Sequence, residues 1–369
     1  MSAVPPEQPK PVPDVTQNLS DQAIDDPDAL DKLARLKVKS LTAARGELVF
    51  PCIPSYKDRY LTQINALLVA LGQNFTTKEK QALANIVGKH LEEGFAKSPY
   101  ARLVFRYMPP TPTVGLTKGL NINVNSEVPS IEDKYQRWVD TREGSLFGSH
   151  ADAKVIEVVE SIAASDPAKC PIMDIGAGNG RNTFPLAKLG YPVDAIELAP
   201  VFVEQMQKIA TAEGLNINVI EGNVLDPALK IRPAHYGLIF AAEVIPHFRH
   251  INQVELLLAR MCDCLRSQGL LLFNLFLTSE GYEPTPMIRE LSQVAWSFLV
   301  TPAELDAALQ KLPLEIIANQ SVYDYEKQHL PEKAWPPTNW FPSWSRGRDL
   351  FPTDRQPPVS LRWLLCRRT

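Results

Sequence analysis

The stretch Pro171–Leu189, PIMDIGAGNGRNTFPLAKL, decides the fold of this 369-residue chain. It is apolar up to Asp174, has glycines at alternate positions 176, 178 and 180, and then resumes the apolar spacing of a helix. This order predicts a strand, a tight turn and a helix. Glycine suits such a turn because the backbone must reach positive φ and leave room for a ligand against bare peptide groups. The unpaired N–H groups that open the helix favour a ligand with an anionic or polar end.

The glycine spacing separates two classes of nucleotide ligand. A dinucleotide fingerprint reads G-x-G-x-x-G, but here the third glycine comes one residue early and Arg181 stands in its place. Asp174 precedes the first glycine by two residues, which gives D-x-G-x-G-x-G. This segment resembles motif I of the class I S-adenosylmethionine-dependent methyltransferases. The alternative is a glycine turn that only joins a strand to a helix.

The resemblance implies specific roles for the turn. In that family the glycine turn wraps the methionine end of S-adenosylmethionine, and the early acid orients the ammonium group of the cofactor. The cofactor residues implied here are Asp174, Gly176, Gly178, Gly180 and Arg181.

Length and composition limit the other classes of function. The chain is longer than one ordinary domain, so we expect two units and a tail. It contains 38 Lys and Arg against 42 Asp and Glu, a net charge of −4, so no nucleic-acid partner is expected. No apolar run is long enough to span a membrane and no secretory signal opens the chain, so we expect a cytoplasmic protein. The five cysteines contain no C-x-x-C pair, and we expect no metal site.

Composition and periodicity divide the chain into three parts. Residues 1–30 are rich in Pro, Asp, Gln and Ser, and predict a disordered acidic tail. We expect residues 31–129 to form an N-terminal α+β accessory domain that presents the substrate or mediates dimerisation. Residues 130–369 are expected to form the methyltransferase domain. The resemblance implies an α/β fold for it, a Rossmann-like, doubly wound and mostly parallel seven-stranded sheet.

The accessory domain shows two periodicities. Helical spacing predicts a helix over Tyr56–Leu71 and a second helix, capped at position 76 or 77, that ends near Phe95. Alternation of apolar and polar residues predicts paired strands over Ala101–Met108 and Gly119–Val128.

Residues 130–142, SIEDKYQRWVDTR, predict a capped amphipathic helix. In class I methyltransferases a helix in this position often covers the cofactor. Tyr135, Trp138 and Arg142 are therefore candidates for a lid, and the alternative is that they pack in the core.

Two later strands end in groups suited to the rest of the cofactor. Tyr191–Leu198 predicts a strand ending in Glu197, 17 residues beyond Gly180. At that interval a strand-end carboxylate can accept hydrogen bonds from a ribose diol. After the next strand, Asn223 and Val224 match the position where related enzymes bind adenine, with Asp226 as the alternative acceptor for the adenine amino group.

The fourth predicted strand, Tyr236–Ala242, leads to the candidates for catalysis. Glu243 and His247 follow it, at the edge where ligands of open parallel sheets bind. His247 could accept the proton lost by an oxygen or nitrogen nucleophile, since an unperturbed imidazole has a pKa of about 6.5. The alternative is a histidine that only packs or donates a structural hydrogen bond.

A long loop separates the last two predicted strands, Leu314–Ser321 and Val359–Cys366. If the first of them is parallel to the others, the loop emerges on the cofactor side and can build the acceptor pocket. Its aromatic residues could form walls and its arginines could hold an anion, or the loop could be stiffened for purely structural reasons. The residues concerned are Trp335, Trp340, Phe341, Trp344, Arg346 and Arg348.

Methyl transfer from a sulfonium is an in-line displacement, so positioning and exclusion of water can supply most of the catalysis. The acceptor is a small molecule or a protein, and the sequence leaves carbon, nitrogen, oxygen and sulfur open as the accepting atom. The core is similar to tellurite-resistance and small-molecule methyltransferases, and the whole chain resembles cyanobacterial methyltransferase-domain proteins, which allows a phycobiliprotein asparagine amide as acceptor. The alternatives are a non-catalytic protein that binds S-adenosylmethionine and a nicotinamide-dependent oxidoreductase.

Overall fold

A computed structural model describes residues 26–41, 44–109, 120–128, 148–162 and 166–369. The predicted lid helix over 130–142 and residues 1–25 of the predicted tail lie outside these ranges. Within the described ranges, every helix is too short or too polar to cross a membrane.

The front unit combines helices with a small sheet. Its strands are paired antiparallel in the order β1, β2, β3. In chain order its elements are α1 (Pro27–Leu41), β1 (Gly46–Pro51), α2 (Lys57–Ala70), α3 (Thr77–Lys97), β2 (Arg102–Met108) and β3 (Asn121–Glu127).

The two predicted helices and the predicted strand pair of the front unit are present. The side chain of Thr76 accepts from the N–H of Glu79, whose carboxylate accepts from the N–H of Thr76, so a capping box begins α3. The sequence did not predict β1 or α1, and α1 begins at Pro27, inside the predicted tail. Whether residues 31–129 form a separate domain remains a prediction.

The large sheet has the predicted α/β architecture. Strand order is β10, β11, β8, β7, β4, β5, β6, with the two-residue β9 paired to β8 outside this path. Strands β4 to β8 are parallel, whereas β11 is antiparallel to both of its neighbours. The strands are β4 (Ile172–Ile175), β5 (Val193–Glu197), β6 (Ile217–Glu221), β7 (Tyr236–Ala241), β8 (Leu265–Thr278), β9 (Leu299–Val300), β10 (Leu314–Ser321) and β11 (Val359–Arg368).

Helices connect these strands and cover both faces of the sheet. They are α4 (Ala153–Ile162), α5 (Thr183–Lys188), α6 (Pro200–Glu213), α7 (Ile251–Cys264), α8 (Pro286–Val294), α9 (Pro302–Leu309), α10 (Val322–His329) and α11 (Phe341–Trp344). Every residue of β4 and β7 is buried, as continuous apolar strands between two helical layers require. One core cluster contains Met173 and Ile239, and the other contains Ile172 and Leu238, so neighbouring residues of one strand fill opposite faces.

Strands β8 and β10 deserve a closer description. Strand β8 begins at Leu265, Gln268 within it has φ 62°, and its pairing with β7 shifts register between Leu265 and Leu270. Strand β10 is antiparallel to β11, and therefore runs in the same direction as β8. The loop after β10 consequently leaves from the carboxyl edge of the parallel strands, as expected.

Hydrogen bonds join the front unit to elements around the large sheet. The N–H and hydroxyl of Ser55 donate to the carboxylate of Glu290 on α8, at 2.8 and 2.9 Å. The guanidinium of Arg249, in the loop before α7, donates to the carbonyls of Phe95 and Ala96 at the end of α3.

Candidate cofactor site

A cavity of about 400 Å³ opens at the carboxyl ends of β4, β5, β6 and β7. This is the edge where open parallel sheets bind ligands, and the volume lies in the range of small-molecule sites, about 300–1,000 Å³. Of the ten site residues predicted from the sequence, all except Gly180 line it. The nine are Asp174, Gly176, Gly178, Arg181, Glu197, Asn223, Val224, Glu243 and His247.

All three glycines of the turn have left-handed backbone. Their φ values are 69° at Gly176, 54° at Gly178 and 79° at Gly180. A Cβ on Gly176 would lie 2.6 Å from Cγ2 of Val244, and one on Gly180 would lie 2.4 Å from the ring of Phe184. Packing against Phe184 therefore leaves no room for a side chain at Gly180, whereas Gly176 and Gly178 line the cavity.

Asp174 lies at the end of β4 in a dry environment. Its side chain is buried, and its Oδ2 accepts a hydrogen bond of 2.6 Å from the hydroxyl of Thr183 on α5. Burial raises the pKa of this carboxyl to about 7, against the opposing effect of the Thr183 hydrogen bond. Near neutral pH the group can therefore exchange a proton when a charged ligand arrives.

Glu197, at the end of β5, braces the glycine turn. Its Oε2 accepts from the N–H of Gly178 at 2.7 Å and its Oε1 accepts from the N–H of Ala199 at 2.8 Å. Burial raises the pKa of Glu197, and the backbone donors act in the opposite direction. The carboxylate of Glu197 thus connects the end of β5 to the glycine turn that follows β4.

Arg181 lies between two acids. Its guanidinium contacts Asp152 Oδ1 at 2.7 Å and Glu243 Oε1 at 3.3 Å, and its side chain is only 7% exposed. Burial raises the pKa of Glu243 to about 7, while the charge of Arg181 acts to lower it. Glu243 has φ 60°, and its N–H donates to Asn274 Oδ1 at 2.7 Å. A non-glycine residue in this conformation is uncommon, and the Asn274 contact holds it there.

Asn223 and Val224 line the cavity beyond β6. The Oδ1 of Asn223 accepts from the N–H of Leu225 at 2.9 Å, an Asx turn that orders the loop. Asp226 is outside the cavity lining, and its Oδ1 accepts from the N–H of Ala228. The alternative acceptor considered for adenine is therefore not at the cavity wall.

His247 ends a short 3₁₀ turn, Ile245–His247, after β7. It is exposed, lines the cavity, and lies with its ring centroid 5.4 Å from that of Trp296. Its backbone N–H donates to the carbonyl of Val244 at 3.0 Å.

The cavity also contains residues that the sequence did not predict. Lys97, Ser98, Pro99 and Tyr100 come from the front unit, and no local motif marks them. Asn182 and Asp152 form a second group beside Arg181, with Asn182 Nδ2 donating to Asp152 Oδ2 at 3.0 Å. Because these contacts join distant parts of the chain, only the folded structure reveals them.

The long loop before β11 does not build this cavity. Phe341 and Trp344 are buried in a core cluster, and Trp335 and Trp340 pack against it. From the sequence, these rings were candidates for the walls of the acceptor pocket. Within the described residues none of the four rings lines the cavity, so this suggestion is corrected. The two arginines bond to the backbone, Arg346 to the carbonyl of Pro342 and Arg348 to that of Asp354. These contacts support the stiffening role.

A family model described as a methyltransferase domain matches residues 172–269, from β4 into β8. Among curated proteins, the ubiquinone biosynthesis O-methyltransferase of Rickettsia canadensis is 30% identical over 98 residues, 26% of this chain and 40% of the relative. The protein of the same name from Azorhizobium caulinodans is 25% identical over 148 residues, 37% of this chain and 56% of the relative. The chain thus spans about half the length of the curated relatives it matches, or less.

Solved structures include similar folds at low sequence identity. A geranyl diphosphate C-methyltransferase from Streptomyces coelicolor A3(2) aligns with a TM-score of 0.45 and 11% identity, over 64% of this chain and 98% of that one. The CcbJ methyltransferase from Streptomyces caelestis aligns with a TM-score of 0.41 and 17% identity, over 63% and 95%. Residues 172–269 of this chain are thus similar to a methyltransferase domain.

Proposed function

We propose that this protein transfers a methyl group from S-adenosylmethionine to a small-molecule or protein acceptor. The observation that carries the proposal is the convergence of four strand ends on one cavity. A glycine turn, a strand-end carboxylate and an Asx-turn loop line it together. These three features suit the amino-acid, ribose and adenine parts of the cofactor.

Different residues of the cavity would hold different parts of the cofactor. Asp174 and the backbone of Gly176 and Gly178 would hold the methionine end, with the carboxylate of Asp174 facing the ammonium group. Glu197 would accept from the ribose hydroxyls while keeping its hydrogen bond from Gly178. Asn223 and Val224 would border adenine. When bound, the cofactor supplies an activated methyl group on a sulfonium.

The protein's own contribution is positioning and proton transfer. Glu243 is fixed by Arg181 and Asn274, so its carboxyl stays at the strand end. His247 is exposed at the same edge, where it can take a proton from an incoming nucleophile. Transfer to a nucleophile that needs no early deprotonation would depend on Glu243 and His247 less than transfer to an alcohol.

The names of the curated relatives point to an oxygen acceptor as the first to test. Both are described as O-methyltransferases of ubiquinone biosynthesis. The cytoplasmic location and the homodimer expected from the sequence are part of this proposal.

Two measurements test the function. Isothermal titration calorimetry with S-adenosylhomocysteine should give one site per chain, and NADH should neither bind nor compete. Incubation of cell extract with methyl-labelled S-adenosylmethionine, followed by separation of protein from small molecules, should give a labelled product only when the enzyme is added. NADH binding without S-adenosylhomocysteine binding would favour an oxidoreductase. If S-adenosylhomocysteine binds but no label is transferred, and Glu243→Gln and His247→Ala change nothing in the labelling assay, a non-catalytic role would be favoured.

A further inference from the structure

The front unit supplies part of the cavity wall. Residues Lys97 to Tyr100 connect α3 to β2 and line the same cavity as the glycine turn. Ser98 and Pro99 are buried, while Tyr100 is half-buried with its ring next to Trp296. A segment more than 70 residues before the glycine turn therefore completes the site.

Arg249 connects this segment to the loop that follows His247. Its guanidinium donates to the carbonyl of Ala96 at 3.1 Å, to the carbonyl of Phe95, and to Gln293 Oε1 at 3.1 Å. Its charge also lies 4.8 Å from the ring centroid of Phe95. A cation on the last carbonyls of a helix is favourable both for the hydrogen bonds and for the helix dipole. These contacts join the loop that follows His247 to the end of α3.

Three rings meet at this junction. The centroid of Trp296 lies 5.7 Å from that of Tyr100, with the rings at 80°, and 5.4 Å from that of His247. The backbone of Trp296 has φ 53°, and its carbonyl accepts from the indole N–H of Trp344 at 3.0 Å. A bulky residue in left-handed backbone is strained, and such strain persists where the surroundings fix it, often at functional sites.

The two ends of the cavity differ in chemistry. The glycine-turn end contains the acids Asp174, Glu197 and Glu243, which suit a cationic ligand. The front-unit end presents Tyr100 and Phe248 beside His247. Flat aromatic surfaces bind flat rings by stacking or edge contacts, and His247 is the group there that can accept a proton.

We propose that Tyr100 and His247, with Trp296 packed against both rings, form the acceptor subsite, and that it takes a planar aromatic ring bearing the accepting atom. This inference rests on the proposed methyltransferase function and narrows its substrate class. Tyr100 is then a specificity residue supplied by the front unit, whose ring borders the acceptor. The substituent on the ring would form a bond to the methyl carbon as the bond from that carbon to sulfur breaks, which leaves the electron pair on S-adenosylhomocysteine, and the proton of the substituent would pass to His247.

Phenol and cyclohexanol form a matched pair of probes, because both carry one hydroxyl on a six-carbon ring and only phenol is planar. Saturation-transfer difference NMR would measure each probe on the full chain loaded with S-adenosylhomocysteine. We expect phenol to give a signal about 2- to 12-fold stronger than cyclohexanol, the range of one favourable aromatic contact. Tyr100→Ala should remove this preference, whereas Tyr100→Phe should keep it. Calorimetric affinity for S-adenosylhomocysteine should be the same in both variants and the wild type.

The outcomes separate this inference from the proposed function. If S-adenosylhomocysteine fails to bind the wild type, the proposed function fails. If it binds but phenol and cyclohexanol give equal signals, or the preference survives Tyr100→Ala, the acceptor subsite is wrong while the function stands. If Tyr100→Ala instead weakens S-adenosylhomocysteine binding as strongly as it weakens phenol binding, Tyr100 belongs to the cofactor subsite and the inference is overturned.

Discussion

At the scale of single residues, Gly178 offers the sharpest test of the cofactor site. Its φ of 54° is disfavoured for any side chain, and it lines the cavity while donating to Glu197. We expect Gly178→Val to abolish measurable S-adenosylhomocysteine binding in calorimetry, because the side chain would occupy the space of the ligand and displace the turn. The left-handed conformation itself should cost about 1–2 kcal/mol of stability.

Gly214 is the matched control for this substitution. It ends α6 with φ 62°, and a Cβ there would have no neighbour within 4 Å. Gly214→Val should therefore lower the melting temperature about as much as Gly178→Val while leaving the affinity for S-adenosylhomocysteine unchanged. Equal affinities in the two variants would contradict the cofactor site.

Glu197 separates cofactor binding from bracing of the turn. In Glu197→Gln one amide oxygen remains to accept from Gly178 or Ala199, but the charge and one acceptor are lost. We expect S-adenosylhomocysteine affinity to fall about 10- to 100-fold, the range of one hydrogen bond to a charged group. The melting temperature should also fall moderately, because one of the two backbone N–H groups loses its acceptor. A large loss of melting temperature with unchanged affinity would mean that Glu197 serves the fold alone.

At the scale of elements, the sequence predicts what local pattern encodes. Strand β7 is a continuous apolar run, β4 leads into a glycine turn and β5 ends in an acid, so these three strands and the acids at their ends could be placed in advance. Strand β1 could not, because its partner β2 lies more than fifty residues later in the chain, and its exposures do not alternate. Residues 97–100 were missed for a related reason, since they reach the cavity only because Arg249 holds α3 against another part of the chain.

Arg249 gives an element-scale prediction. Arg249→Ala removes the donors to the carbonyls at the end of α3, so amide hydrogen exchange should become faster over the last turn of α3 and residues 97–101. Exchange in β4 and β5 should stay unchanged. Arg59→Ala is a control on α2, because it removes an exposed arginine of the same unit. Exchange that is equally fast in both variants, or unchanged in Arg249→Ala, would mean that Arg249 does not fix the front unit.

At the scale of the whole molecule, the site concentrates negative charge that the fold removes from water. Asp152, Asp174, Glu243 and the fully buried Glu326 surround the guanidinium of Arg181 or lie next to that group. Glu326 accepts from the N–H groups of Ala153 and Lys154 at the start of α4. Burial raises its pKa to about 8, with the charge of Asp152 adding to the effect. An empty site of this kind retains protons that a cationic ligand would displace.

This predicts how cofactor binding depends on pH. The pKa of Asp174 is raised to about 7, so below pH 7 its carboxyl is mainly protonated and cannot offset the ammonium group of S-adenosylhomocysteine. Binding favours the ionised form, so affinity should rise about tenfold between pH 6 and pH 8. Calorimetry at pH 6.5 in two buffers of different ionisation enthalpy should register proton release. The Asp174→Asn variant should bind S-adenosylhomocysteine more weakly at pH 8 and lose much of the pH dependence. Proton uptake when the wild type binds, or equal affinity of the wild type at pH 6 and pH 8, would contradict the role of Asp174 as the partner of the ammonium group.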